Sequence, residues 1–280
     1  MSKRKQGNVE GEGDDSDVSL VDVDFEFFDP NPTVDYLALK RLAVQLFQGD
    51  AEALQLHDLA DWVLSQPQVG TTIKCDGKES DPYAFLTVLN LHVYQDRPFA
   101  KALVAYILNK SPSNPNTHSA LQALLGPAGL QSQNHVGFVF SERLVNMPVQ
   151  LMPPMYRMLS EELQWATDDN KPFRFSHYLF VSQTYRLSPE DLAELDSGAS
   201  RSKRHKGSSA PSHSGVQLMH AEDEYIQQFA SHTLDYAYSS AEPRNKESFG
   251  LDTACRLMLV PAENFPQLIA AIAEAFPAPE

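Results

Sequence analysis

Residues 135–163 read HVGFVFSERLVNMPVQLMPPMYRMLSEEL, and the fold class turns on how this run is parsed. Val136, Phe138 and Phe140 alternate with Gly137 and Val139, a period of two that is apolar on both faces. Such a run fits a strand in the middle of a sheet. Pro153-Pro154 then stands where a helix begins, because proline lacks an amide that the first turn leaves unbonded in any case. Met155, Met158, Leu159, Glu162, Leu163 and Trp165 follow at helical spacing. Ser141-Glu142-Arg143 lies between the two segments and raises the question of chemistry. A serine nucleophile needs a histidine within hydrogen-bond reach. His135, six residues along an extended chain, is about 20 Å away. Glu142 and Arg143 are therefore expected to solvate the exit of a buried strand.

Working outward, residues 21–29 (VDVDFEFFD) alternate Val21, Val23, Phe25 and Phe27 against Asp22, Asp24 and Glu26, which predicts a strand with one buried and one acidic side. Asn31-Pro32-Thr33 predicts a helix start, with Tyr36, Leu37, Leu39, Leu42, Ala43, Leu46 and Phe47 at helical spacing. A second helix is expected over about 51–66. Residues 69–75 and 83–94 read as strands around the turn dipeptide Asp76-Gly77. Helices are expected from Pro98 to about 109 and over 117–125, a long strand over 174–186, and a helix from AEDEYIQQFA onward. A last strand over about 254–260 precedes a helix over about 266–276. His220, Glu222 and Asp223 are placed at a helix N-terminus, where acids complement the dipole. The pattern predicts one domain over 20–280, a mixed α/β fold (α+β in its irregular order) with a single central sheet flanked by helices. Residues 1–19 and 197–215, polar and without apolar periodicity, are expected to be a disordered acidic tail and a disordered basic loop.

The net charge is −15. Residues 1–29 hold nine acids against three bases, and residues 197–215 hold four bases and no acid, so the body itself is acidic. Such a surface repels nucleic-acid phosphate and complements a basic protein. Two cysteines, Cys75 and Cys255, make neither a disulfide framework nor a metal cluster, and are expected to be structural thiols. His57 and Asp61, one helical turn apart, are too few to make a metal site. The phosphate-binding and nucleophile-elbow motifs GxxxxGK[ST], GxGxxG in a strand-to-helix turn, and GxSxG are absent from the sequence. Two basic clusters, Lys3-Arg4-Lys5 and Arg201 with Lys203, Arg204 and Lys206, suit an acidic import-receptor groove and predict nuclear entry.

Three long segments, VDVDFEFFDPNPTVDYLALKRL, VGTTIKCDGKESDPYAFLTVLNL and the 135–163 run, occur in an order that resembles the BCCIP family. FSHYLFVSQTY and AEDEYIQQFA continue the match. The resemblance implies a nuclear, non-enzymatic partner protein, without cofactor or metal, that shuttles to the cytoplasm. It implies a chaperone or escort for a basic ribosomal protein of the large subunit, acting in ribosome biogenesis. It also implies support for nuclear export, with a phosphatidylinositol phosphate kinase as a further client in fungi. No direct nucleic-acid contact and no membrane insertion are expected. The alternatives are a cell-cycle or recombination adaptor and a divergent acyl-CoA-dependent acyltransferase.

The family fold is similar to that of GCN5-related N-acetyltransferases, whose phosphate loop needs [QR]xxGx[GA]. Only Gly7 (after Arg4) and Gly207 (after Arg204) have a suitable start, and Val9 and Ser209 break both. The client contact is expected at the tail carboxylates Asp14, Asp15 and Asp17 and at the acidic strand face of Asp22, Asp24 and Glu26.

Overall fold

The computed structural model describes residues 24–186, 216–239 and 252–278. Among them, eight strands form one mixed sheet: β1 (Glu26–Phe28), β2 (Thr71–Lys74), β3 (Ala84–Asn90), β4 (Val136–Arg143), β5 (His177–Arg186), β6 (Val216–Leu218), β7 (His232–Tyr236) and β8 (Asp252–Pro261). The order across the sheet is β1-β2-β3-β4-β5-β8-β7, with β6 paired to β5 off that path. Every pairing is antiparallel except β4 with β5. Those two strands are joined by the helix of the 135–163 run, the crossover that a parallel pair requires.

The helices among the described residues are α1 (Tyr36–Phe47), α2 (Leu56–Leu64), α3 (Pro98–Lys110), α4 (Pro115–Leu125), α5 (Met152–Asp168), α6 (Asp223–Phe229) and α7 (Phe265–Ala275). The helices α1 to α4 cover one face, where Leu39, Leu46, Trp62, Phe99 and Leu103 pack with Phe138 and Phe140 of β4. The helices α5, α6 and α7 cover the other, where Met155, Tyr156, Leu159, Ile226, Leu268 and Ile272 pack with Val139. Successive side chains of a strand point to opposite faces. A central strand covered on both sides must therefore be apolar at every position, as residues 136–140 are.

Two polar ties fix helices to the sheet. Glu162 of α5 is buried, and accepts hydrogen bonds from the Gly70 amide (2.8 Å) and the Thr71 hydroxyl (3.0 Å). Gly70 holds φ +144°, a backbone state that side chains disfavour. Lys74 of β2 is fully buried against Asp35, with Nζ at 2.6 Å from Oδ1, and also donates to the Lys78 carbonyl. Asp35 in turn accepts from the Asn31 amide, so the chain just before α1 is anchored to the end of β2.

Several expectations shift. The Asn31 segment is a turn, with the Asn31 side chain accepting from the Thr33 amide, and α1 starts only at Tyr36. The helix expected over 51–66 is a 3-10 turn over Gln48–Leu54 followed by α2, because Gln55 takes a left-handed conformation with φ 54°. The strand expected over 83–94 ends at Asn90, whose side-chain oxygen accepts from the His92 and Val93 amides and starts a turn. Strands β6 and β7 were not anticipated. Of the expected strand over 21–29, residues 21–23 lie outside the described residues, and among 24–29 Glu26–Phe28 pair as a strand.

Candidate functional site

The parallel pairing of β4 with β5 covers only Val136 to Val139 against His177 to Phe180. Beyond it the two strands keep their other partners, β3 for β4 up to Arg143 and β8 for β5 up to Arg186, and they part from each other. Residues 216–223 fill the opening. β6 pairs with Thr184 to Arg186, and the Met219 amide donates to the Gln183 carbonyl at 3.0 Å.

The side chains of this insert meet the Ser141-Glu142-Arg143 triplet directly. Arg143 grips Glu222 with two donors, Nε to Oε1 at 3.0 Å and Nη2 to Oε2 at 2.9 Å, while Nη1 donates to the Met147 carbonyl. Glu142 receives the His220 Nε2 contact at 3.0 Å and the Gln45 amide at 2.6 Å. Asp223 accepts from the Ser182 hydroxyl of β5. The insert is thereby bound to both strands it separates.

Glu142 and Arg143 are 2% and 4% exposed, so the expectation that they solvate a strand exit is corrected. β4 runs to Arg143 and keeps the triplet inside the sheet. His220, Glu222 and Asp223 do stand at a helix start, with Glu222 at the N-cap position and Asp223 in the first turn of α6, and all three are buried there. Charges taken out of water must be paired, and the pairing here spans about eighty residues of sequence. The sequence signal that could have found it is the density of AEDE beside an oily strand. Among the described residues the Ser141 hydroxyl meets Tyr156 at 3.4 Å, and the nearby His220 is on Glu142 rather than on Ser141.

Burial lifts the Asp223 carboxyl to about 7, with His220 pulling the other way. Burial also works against a charged His220, yet Glu142 outweighs it and raises the imidazole above its usual range. A carboxyl raised in the fold is protonated there while the unfolded chain has already lost the proton. Its contribution therefore falls as pH climbs from 3.8 to about 7 and is level above that. Asp223→Asn removes this loss. Its stability relative to the native chain is expected to rise by on the order of 1 kcal/mol or more between pH 5 and pH 8, read from urea unfolding. A gap that does not change with pH would refute the assignment.

The other expected site residues divide. Asp24 and Glu26 are exposed at the β1 edge, Phe25 and Phe27 half-buried behind them, so the acidic side of this strand faces outward. Asp14, Asp15, Asp17 and Asp22 lie outside the described residues, as do Lys3, Arg4, Lys5, Arg201, Lys203, Arg204 and Lys206. His57 meets the Tyr36 hydroxyl at 2.8 Å and the Lys40 ammonium at 3.3 Å. Cys75 is half-buried, Cys255 is buried, and burial raises both thiols. Among the described residues, no group of three or more His, Cys, Asp or Glu could hold a metal ion. No helix among them is long and apolar enough to cross a membrane.

A model of the BCCIP family matches residues 20–226. Protein bcp1 of Aspergillus fumigatus is 40% identical over 271 residues, spanning 94% of this chain and 89% of that one. Protein bcp1 of Schizosaccharomyces pombe is 40% identical over 268 residues, spanning 94% and 93%. The crystal structure of BCP1 from Saccharomyces cerevisiae superposes with a TM-score of 0.62 at 24% identity, covering 94% of this chain and 93% of that one.

Proposed function

The chain belongs to the BCCIP family, and from that footing we propose that it is a non-enzymatic escort for a basic ribosomal protein of the large subunit. The observation that carries the reading is the excess of carboxylates, −15 overall, in a body whose buried cations are already committed. Lys74 and Arg143 each face an acid across 2.6 and 2.9 Å, so they present little charge to a partner. The reading assigns the contact with positive charge to the exposed acids Asp24 and Glu26 at β1 and to the acids Asp14, Asp15, Asp17 and Asp22 that precede them in the sequence. A free ribosomal protein carries a positive, RNA-facing surface that binds polyanions without selection. Carboxylates can cover it until RNA takes their place.

The filled opening between β4 and β5 supports the non-enzymatic part. Residues 216–223 occupy the space where parting strands could admit a ligand, and they are tied in by buried charges. The helix that follows β4 begins Met152-Pro153-Pro154, so its first turn lacks two of the amides that would grip a phosphate. Nuclear residence with shuttling, and clients for export such as a lipid kinase, belong to the same reading. It assigns import to the two basic clusters.

Co-expression tests the proposal. A basic large-subunit ribosomal protein that aggregates alone is expected to stay soluble with this chain and to be released from it as salt is raised, because exposed charge pairs are screened. The Asp14, Asp15, Asp17, Asp22, Asp24 and Glu26 set, changed to Asn and Gln, is expected to abolish the rescue. No rescue by the native chain, or full rescue by the neutralised one, would overturn it.

A further inference from the structure

Helix α1 is apolar on two sides. Leu39, Leu42, Ala43, Leu46 and Phe47 face the core, as an amphipathic helix requires. Leu37 and Val44, at 68% and 47% exposure, face outward with Lys40 and Arg41 between them. The spacing i, i+3, i+4, i+7 sets these four side chains in one stripe. The stripe forms one wall of a depression of about 440 Å³ closed by Asp81. This runs into a second hollow floored by Ala38, Leu42, Pro82, Tyr83 and Leu144. The result is an apolar groove with two cations at its rim on a protein of net charge −15.

The rim is exchangeable. Arg41 pairs with Asp81, but both side chains are more than half exposed, at 67% and 59%. Exposed pairs of this kind contribute little. Among the described residues, Lys40 contacts only His57. A suitable occupant therefore has apolar side chains interleaved with carboxylates.

The chain carries such a segment itself. Residues 14–23, DDSDVSLVDV, hold Asp14, Asp15, Asp17 and Asp22 with Val18, Leu20, Val21 and Val23. The described chain also begins beside the groove. Glu26 pairs with Lys74, Lys74 reaches Asp35, and Asp35 directly precedes α1. The chain before residue 24 thus leaves β1 at the end of the sheet where α1 starts and where Asp81 meets Arg41. Ten residues extend at most about 33–36 Å, and α1 is roughly 18 Å long. The reach is sufficient.

We propose that the α1 groove is the docking site of the chain's own residues 14–23, with their apolar side chains against Leu37 and Val44 and their carboxylates at Lys40 and Arg41. This stands without the escort reading. If both hold, a basic client that draws away the same carboxylates uncovers the groove.

The test uses the full chain carrying Val44→Cys, alkylated with iodoacetamide at low salt, the residue-44 peptide being followed by mass spectrometry apart from Cys75 and Cys255. A matched chain adds Val18→Ser, Leu20→Ser and Val21→Ser. With the native tail, Cys at position 44 is expected to react about tenfold more slowly, which corresponds to about 1.4 kcal/mol of docking. The protection is expected to shrink at 1 M salt, where charge pairing is screened within about 3 Å. Leu37→Cys repeats the measurement at the other end of the groove, should the Val44 change itself weaken docking. Equal rates for native and altered tails at both positions overturn the proposal. Protection that grows with protein concentration overturns it in favour of a second copy.

Discussion

Arg143→Met is expected to lower the unfolding free energy by about 3–5 kcal/mol, the usual cost of removing one partner from a buried ion pair. Methionine keeps an apolar stem of similar length, so the change isolates the guanidinium. What it leaves behind is the Glu222 carboxylate, 3% exposed, with Glu142 and Asp223 beside it and His220 as the remaining cation. Three acids in one buried place cannot all stay charged. The chain must protonate one of them, admit water or release the insert. The urea midpoint is expected to drop, and amide exchange in residues 216–223 to quicken before that of β3 or β4. Replacing both partners, Arg143→Met with Glu222→Leu, removes both charges at once and is expected to recover most of the loss, because an apolar pair of similar shape is often as stable as a buried ion pair. If Arg143→Met alone unfolds at the native midpoint, the pair does not hold the insert and the reading of the filled opening fails with it.

Lys74→Met is expected to cost a similar amount, about 3–5 kcal/mol, for a related reason. Both Lys74 and Asp35 are fully buried, and among the described residues Lys74 is the only ammonium paired with Asp35. The loss leaves Asp35 with a single donor, the Asn31 amide, and frees the Lys78 carbonyl from its partner. Lys74→Met combined with Asp35→Asn is expected to be less damaging than Lys74→Met alone, since a neutral amide tolerates burial better than a lone carboxylate. The two variants act at opposite ends of the molecule's logic. The first loosens an insert in the sheet, whereas the second loosens α1 from the sheet edge. Additive losses in the double variant, within about 0.5 kcal/mol, are expected for sites without shared partners.

How much of this was legible in the sequence depends on the range of the forces involved. Strand and helix types over 136–140, 98–110 and 152–168 follow from side-chain periodicity, which is set within a few residues. The boundaries that moved did so for local reasons with a longer-range cause. Gln55 breaks the second helix, and Asn90 turns the chain at the end of β3. β6 and β7 are three and five residues long, and their partners are remote in sequence, so neither has enough periodicity to announce itself. The outward placement of Asp24 and Glu26 at β1 follows from alternation alone, because an edge strand with one covered face needs no other information.

The sequence by itself determined the mixed sheet with helices on both faces, the central position of the strand that begins at Val136, the acidic balance and the family. Each is written either in local periodicity or in residue identity, which does not depend on where the chain travels. Only the tertiary structure decided that Glu142 and Arg143 are buried and matched by His220 and Glu222, and that Lys74 is sealed against Asp35. A charged residue in a sequence reads as solvent-facing because desolvation is costly. Whether a partner offsets that cost is settled by contacts between segments dozens of residues apart, and no window along the chain contains them.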